Sequence, residues 1–366
     1  MAGIPYVDMA AQFAAERERL MPVVESVLAG GMWVGGAAVE AFEAAVRAYT
    51  GAAHCVALNS GTDALALGLK VLGVGPGDEV ITPPNSFVAS TAAIVQAGAV
   101  PVFADVLPDQ NLDPERVAAA VTARTRAIMP VHLTGRMADM GAIMDIAARH
   151  GLAVIEDAAQ SIGSMLHGRQ AGTVGHLGCF SAHPLKNLNA AGDAGFVVTD
   201  DGDMADRLRR LRNHGMVDRD TVAEWGVVSR MDTLQAAILT ARLETLDDVI
   251  AARRANAARY RALLDPAAVF MPPDGNGEFN TYHTFVVQVD RRDALRAHLA
   301  ERGIGSAIHY PVPIHLQPAA AALGHGPGSF PVAEAQAGRI LSLPVHQFLA
   351  PADIETVAVA VNGFLA

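Results

Sequence analysis

The sequence predicts an α/β fold with a mostly parallel central sheet and a smaller α+β domain at its C-terminal end. Three observations carry that expectation. Short apolar runs alternate with helical patterns through residues 54–199, the signature of buried strands joined by crossover helices. A long helical stretch and a Pro/Gly/Asn-rich segment then separate this half from a region of mixed strand and helix character. Hydrophobic residues make up 51% of the 366 positions and charged residues 18%, enough to bury a large core and to exclude disordered and fibrous classes. A chain of this length usually forms two domains, expected here at 1–250 and 251–366.

In order along the chain, HCVAL at 54–58 reads as a strand and precedes a helix through TDALALGLKVL. EVI at 79 precedes a helix expected from about Ser86 to Gln96, and the strand VPVFADV follows. AIMPVHL at 127 precedes the helix MGAIMDIAARH, and LAVIED at 152 is the next strand. CFS at 179 and GFVVT at 195 are two more. Helical pattern then runs from Asp232 to Leu264 with room for one break, and DPAAVFMPPDGNGEFN from Asp265 reads as a boundary loop. Beyond it, HTFVVQVD alternates like a strand, while RRDALRAHLAERG, VAEAQAGRILSL and PADIETVAVAVNGF read as helices.

Composition narrows the function classes. With 27 Lys plus Arg against 38 Asp plus Glu, the net charge of -11 argues against a nucleic-acid polymer as partner, though not against one small anion in a local pocket. Cys55 and Cys179 are the only cysteines, so no disulfide framework or thiolate-rich zinc site is expected, and no metal is assigned. The uncharged run from Val80 to Ala104 is long enough for a bilayer. Pro83, Pro84, Asn85, Gln96, Gly98 and Pro101 break it, and no basic-then-apolar signal opens the chain. A soluble, cytoplasmic protein is the expectation. Aromatic residues are scarce at 5%, with Trp33 and Trp225 the two tryptophans.

Gly73, Gly75 and Gly77 imitate a dinucleotide fingerprint, but they follow a helix and precede a strand, the reverse of the order that motif needs. NSGTDAL at 59–65 has the right order. Gly61, Thr62 and Asp63 would present backbone N–H groups at a helix start, either as an anion site or simply as a cap. In IEDAAQSIG, Asp157 ends an apolar strand where open α/β sheets display ligand residues, and Gln160 follows three residues on. A helix cap is the plainer reading of that aspartate. In CFSAHPLKNLNAAGDAGFVVTD, Ser181 and His183 leave a strand and Lys186 sits among small and apolar residues. A desolvated lysine becomes a nucleophile at neutral pH. Lysine, strand-end aspartate and helix-start anion site are the parts that pyridoxal 5′-phosphate (PLP) requires.

These three segments, with PPNSFVAS at 83, PVHLTGRMADM at 130, RNHG at 212, SRMDTLQAAIL at 229, HYPVPIHLQPA at 309 and SLPVH at 342, follow one another in the order of a known family. The chain resembles the sugar aminotransferases of the DegT–StrS family, fold-type I PLP enzymes, over nearly its whole length. The resemblance implies that Lys186 bonds PLP covalently and shuttles a proton, and that Asp157 faces the pyridinium nitrogen. Gln160 would bond the phenolic oxygen, Ser181 with Gly61, Thr62 and Asp63 would hold the phosphate, and Phe87 would pack on the ring. Trp33, His183, Arg230, His309, Tyr310 and His315 are the implied substrate contacts. Arg230 and Trp33 would act near a dimer interface, in a homodimer with shared sites.

The implied reaction moves an amino group from glutamate or glutamine, through pyridoxamine 5′-phosphate, to a keto-sugar such as a nucleotide-linked keto-deoxyhexose. Relatives that dehydrate sugars carry histidine where this chain has Lys186, so lysine favours transamination. A keto-cyclitol or a non-sugar ketone or aldehyde is the alternative acceptor, and a non-catalytic PLP-binding regulatory protein is the alternative class. Four departures from the family pattern stand out. Val228 replaces an asparagine that reaches the neighbouring subunit's phosphate, which implies a looser grip unless Ser229 or water substitutes. His183 and Thr134 replace aromatic residues, and Asn189 replaces glycine, which implies an altered acceptor pocket.

Overall fold

The computed structural model describes residues 3–366. The chain opens with helices α1 (Met9–Gly30) and α2 (Ala37–Thr50). Asp8 caps the first by accepting the Ala11 amide, and Gly31 and Gly51 end the two in left-handed conformation. The α/β part follows as β1 (His54–Leu58), α3 (Gly61–Val71), β2 (Glu79–Thr82), α4 (Val88–Gln96), β3 (Val100–Phe103), α5 (Pro114–Ala120), β4 (Thr125–Ile128), α6 (Met140–His150) and β5 (Ala153–Asp157). The short β6 (Met165–Leu166) and β7 (Arg169–Gln170) lead to β8 (Leu177–Ser181), β9 (Gly195–Thr199) and α7 (Gly202–Leu211). Helices α8 (Thr233–Leu243) and α9 (Leu246–Leu263), β10 (Glu278–Phe279), β11 (Phe285–Gln288), α10 (Arg292–Glu301), α11 (Pro331–Arg339), β12 (Ile340–Leu343) and α12 (Pro351–Leu365) complete the chain.

The main sheet has seven strands in the order β1-β9-β8-β5-β4-β2-β3. Only β9 runs against its neighbours; the other six are parallel to one another. Their carboxyl ends therefore share one edge. Alternation along β8 explains the layering. Phe180 points into a core with Phe42 and Val46 of α2 and stacks on Phe196 at 4.8 Å, whereas Leu177 and Cys179 point to α3 and α7 on the other face.

Two expectations about elements are corrected. The helix expected from Ser86 begins at Val88, because Phe87 is extended (φ −62°, ψ 144°). The segment ILSL at 340–343 is not helical but is the strand β12, antiparallel to β11. Its four residues are all buried, and a ladder satisfies that backbone while covering it with α9, α10 and α12. The break in the long helical stretch falls at Glu244 and Thr245. Helix α9 then crosses residue 250 without interruption. Leu246 and Ile250 pack into the core with α2 and α8, and Ala257 and Tyr260 into the C-terminal core with Phe285 and Leu341. No helix among the described residues is long and apolar enough to cross a membrane.

Candidate active site

A cavity of about 420 Å³ opens at the carboxyl ends of β1, β5 and β8. Its lining also includes Tyr6 and Val7 from the start of the chain and Arg253, His283, His309, Tyr310 and His346 from its last third. The period of two along β5 sends Ile155 and Asp157 one way and Glu156 the other. Asp157 is 5% exposed and lines the cavity. Its Oδ2 accepts from the Ser90 hydroxyl at 2.7 Å and its Oδ1 from the Ala159 amide at 3.2 Å. Burial pushes the Asp157 carboxyl above its ordinary range, against the pull of those bonds and of the Lys186 charge.

Lys186 lies in the loop after β8, its amide bonded to the His183 carbonyl at 2.8 Å. Burial brings its ammonium pKa down to about 8, with Asp157 opposing. The loop is held from behind by Asn189. That amide exchanges bonds with Gln12 of α1 (2.9 and 3.1 Å) and donates to the Pro184 carbonyl at 2.6 Å. The Asn189 carbonyl accepts from Arg242 at 2.6 Å, and Arg242 is itself paired with Glu16 of α1.

The third part of the site is the start of α3. Gly61 and Thr62 line the cavity, and as first residues of a helix their N–H groups have no acceptor four residues back. With the positive end of the helix dipole they form an anion cradle. Ser181 closes it. A Cβ on Gly61 would lie 2.6 Å from the Ser181 Cβ, so only glycine lets the end of β8 approach this closely. Asp63 is corrected here, since its amide already donates to Ser60 Oγ at 3.1 Å and the residue does not line the cavity. Gln160 lines it, and its Oε1 accepts the Thr134 amide at 2.8 Å. That bond leaves the Gln160 NH2 group as the donor. Phe87, more than half exposed, faces Tyr310 at 5.8 Å between ring centroids.

Of the expected substrate contacts, His183, His309 and Tyr310 line the cavity. Burial and the Lys186 charge hold the His309 pKa at about 4, and its Nδ1 lies 2.9 Å from Ser342 Oγ. Burial pushes the Tyr310 phenol up. His315 is placed elsewhere. It is fully buried, bonded to Glu334 at 3.0 Å and packed on Phe330 at 4.7 Å, where it holds the loop before α11. Trp33 and Arg230 also lie outside this chain's cavity. Trp33 is 61% exposed, and Arg230 is exposed with its Nη1 on Asn213 Oδ1 at 3.2 Å. Both sit by one antiparallel bridge, Val34 with Asp232. Val228 is exposed as well, whereas Ser229 is fully buried and donates to Asn59 at 3.2 Å, so its hydroxyl is not free to substitute for an asparagine.

Sequence reasoning missed Tyr6, Ser90, Arg253, His283 and His346. Ser90 had a local signal in PPNSFVAS; the others converge from segments far apart in the chain. Burial, Lys186 and Arg253 push the His283 imidazole far down, and its Nδ1 has no partner among the described residues.

The chain is similar to known proteins over nearly its whole length. The chain is 42% identical over 93% of its length to a "Pleiotropic regulatory protein" of Geobacillus stearothermophilus, of which it covers 93%. It is 43% identical over 94% of its length to the dTDP-3-amino-3,4,6-trideoxy-alpha-D-glucose transaminase of Streptomyces venezuelae, of which it covers 92%. A crystal structure of S. venezuelae DesV in complex with a ketimine intermediate superposes with a TM-score of 0.97 at 42% identity, covering 100% of this chain and 99% of that one. The family model for DegT/DnrJ/EryC1/StrS aminotransferases matches residues 14–362. The chain thus belongs to the DegT/DnrJ/EryC1/StrS aminotransferase family and has the architecture of a fold-type I PLP-dependent transferase.

Proposed function

We propose that this protein is a PLP-dependent aminotransferase that moves an amino group from glutamate or glutamine to a nucleotide-linked keto-sugar. The observation that carries the reading is Lys186, its amine made partly neutral by burial, lining one cavity together with Asp157, whose charge it feels, and with the start of α3. These residues fit the cofactor. The Gly61 and Thr62 amides with Ser181 would take its phosphate, Asp157 its ring nitrogen, the Gln160 NH2 group its phenolic oxygen and Phe87 its ring face. When bound, PLP supplies an electron sink for the charge left as a proton leaves the donor's α-carbon.

The chain's own groups do the rest. Lys186 Nζ, with a pKa of about 8, accepts a proton and gives it back near neutral pH. Asp157, held by Ser90 and Ala159, places a fixed negative charge deep in the cavity. Tyr310 and Phe87, their ring centroids 5.8 Å apart, give the cavity two adjoining aromatic faces. The exposed apolar residues Met32, Trp33, Val34, Val227 and Val228 beside Arg230 support a homodimer in which a second copy covers this face and brings Arg230 toward the other copy's site. The S. venezuelae relative named a transaminase of a dTDP-linked sugar supports the nucleotide-sugar acceptor. The relative named a regulatory protein favours the non-catalytic reading, but Lys186, Asp157 and Gln160 are all present around one cavity.

An absorbance spectrum tests the proposal. Purified protein with PLP should absorb near 410–430 nm, on the order expected for a lysine-bound cofactor, and bleach with L-glutamate. Lys186→Ala should abolish the bleaching. A wild-type protein that stays colourless with added PLP would overturn it.

A further inference from the structure

Residues 3–8 run from the C-terminal sheet to α1, fixed at both ends, with the cavity between. At the sheet end, the Ala307 and Ser342 amides each donate to the other's carbonyl, which joins the segment 303–307 to β12. Ile4 pairs in parallel with Ile304 of that segment. Its amide donates to the Gly303 carbonyl at 2.9 Å, and its carbonyl accepts the Gly305 amide at 2.8 Å. At the other end Asp8 caps α1, and Gln12 of that helix bonds Asn189 behind the lysine loop. Tyr6 and Val7, between the two anchors, line the cavity. The Tyr6 ring centroid lies 5.9 Å from that of His309, and burial pushes its phenol up to about 12.

Two residues hold the segment where it passes the cavity. The first is Gly305, where a Cβ would lie 2.6 Å from the Tyr6 nitrogen and 3.2 Å from its Cβ, so glycine permits the close approach. The second is His346, which is 4% exposed and has its Nε2 3.1 Å from the Pro5 carbonyl. A carbonyl only accepts, so Nε2 carries the proton. The His346 Nδ1 has no partner among the described residues, and burial holds the imidazole below its ordinary pKa. Asn256 of α9 fixes the backbone here by donating to the Val345 and His346 carbonyls at 3.4 and 3.0 Å. A buried, neutral imidazole thus places its one donor on the residue before Tyr6. We infer that residues 3–8 are a strap that sets Tyr6 into the cavity wall beside His309, and that His346 is its latch, a positioning residue that acts on bound substrate through the Pro5 carbonyl and Tyr6. A released strap must be reordered whenever substrate enters, which lowers apparent affinity by the fraction of molecules that are latched. The effect on substrate rests on the aminotransferase reading above; the latch itself does not.

Three variants of the PLP-loaded protein test this. His346→Leu keeps the bulk and removes the donor, His346→Gln keeps a donor near the Nε2 position, and Gly305→Ala presses on Tyr6 without touching the latch. The readouts are nitration of Tyr6 by tetranitromethane, followed by mass spectrometry with the fully buried Tyr260 as internal standard, and hydrogen exchange at the Ile4 and Gly305 amides. Nitration attacks the phenolate, so a ring returned to water, with its pKa back near 10, reacts faster. In His346→Leu and Gly305→Ala both readouts should speed up by about 3- to 10-fold, the fold-change of one lost hydrogen bond, with Tyr260 unchanged. His346→Gln should stay within about twofold of wild type. The glutamate concentration for half-maximal bleaching should rise with nitration in the first two, while Gly305→Ala keeps the bleaching rate at saturating glutamate. Unchanged Tyr6 nitration in both, or His346→Gln reacting as fast as His346→Leu, would overturn the latch. Faster nitration with an unchanged half-saturating glutamate concentration would overturn the positioning role. If the variants do not fold, wild-type exchange decides it: Ile4 and Gly305 amides as protected as those of β12 support the strap, and amides that exchange like a free peptide's overturn it. Failure of the aminotransferase reading is distinct, since wild-type protein would then not bleach with any amino acid while nitration and exchange still report on the strap.

Discussion

Glu156 and Asp157 are adjacent carboxylates at the end of one strand, both buried, and the two faces of β5 treat them in opposite ways. Glu156 is saturated. It accepts the amides of Gly172 (2.8 Å), Val174 (2.7 Å) and Gly175 (2.5 Å), and the His132 Nε2–H at 2.8 Å. The Ala138 amide donates to His132 Nδ1 at 3.1 Å, which leaves the proton on Nε2. Burial pushes the Glu156 carboxyl up, but His132 and the glycine amides more than offset it and hold the acid below its ordinary range. Asp157 has two donors, and burial wins. A saturated carboxylate is a tie between chain segments. An undersaturated one aimed into a cavity keeps capacity for a ligand.

That contrast is broken most sharply by exchanging the charges. Glu156→Gln replaces an acceptor with a group that turns an NH2 toward two donors, either the Val174 and Gly175 amides or the Gly172 amide and His132 Nε2, so it should cost about 3–5 kcal/mol of stability, read by denaturant unfolding. Asp157→Asn still accepts from Ser90 and removes a carboxylate that burial already disfavours, so stability should change by less than about 1 kcal/mol. The donor half-reaction, however, should slow by about 10²–10³-fold for want of the fixed charge. If Asp157→Asn unfolds the protein and Glu156→Gln stops only the chemistry, the assignment of roles is reversed.

The second prediction concerns pH. With a pKa near 8, Lys186 is neutral about 300-fold more often at pH 7 than an ordinary lysine. Covalent capture of PLP by protein stripped of cofactor needs the neutral amine. Its rate should rise about tenfold per unit below pH 8 and level off above it, measured by stopped-flow absorbance. Asp157 raises the Lys186 pKa, so Asp157→Asn should move the plateau to lower pH. A rate still climbing steadily at pH 10 would remove Lys186 from the desolvated wall.

Much of this was legible in the sequence. Most of the parallel strands announced themselves as short apolar runs between helical patterns, and Asp157, Gln160, Ser181 and Lys186 lie in short segments with local signals. Other features had no local signal. ILSL at 340–343 continues an alanine-rich helical pattern, and only its pairing with β11 makes it a strand. His315 sits in a loop that looks functional by composition, yet Phe330 and Glu334, distant in the chain, enclose it. Arg253 lies in a basic helix among Arg254, Arg259 and Arg261, and nothing in the sequence marks which of them faces inward. Glu156 was hidden for the opposite reason: a charged residue inside an apolar strand has no local sign of the four donors that the turn at 172–175 and His132 supply.

The smallest effect belongs to a second saturated group, Asn189, which stands behind the reactive loop as Glu156 stands behind β5. It is 4% exposed, and its side chain and carbonyl join α1, Pro184 and Arg242. Asn189→Gly would remove the amide pair with Gln12 and free the backbone of a loop that must stay in one conformation. A loss of about 1–3 kcal/mol is expected, with faster hydrogen exchange confined to residues 183–193. Gln12→Ala should act through the same bonds, so the double variant should lose clearly less than the sum of the two singles. If the two losses add fully, or exchange spreads evenly over the sheet, Asn189 only fills space. If they do not add, Asn189 is a brace between α1 and the lysine loop.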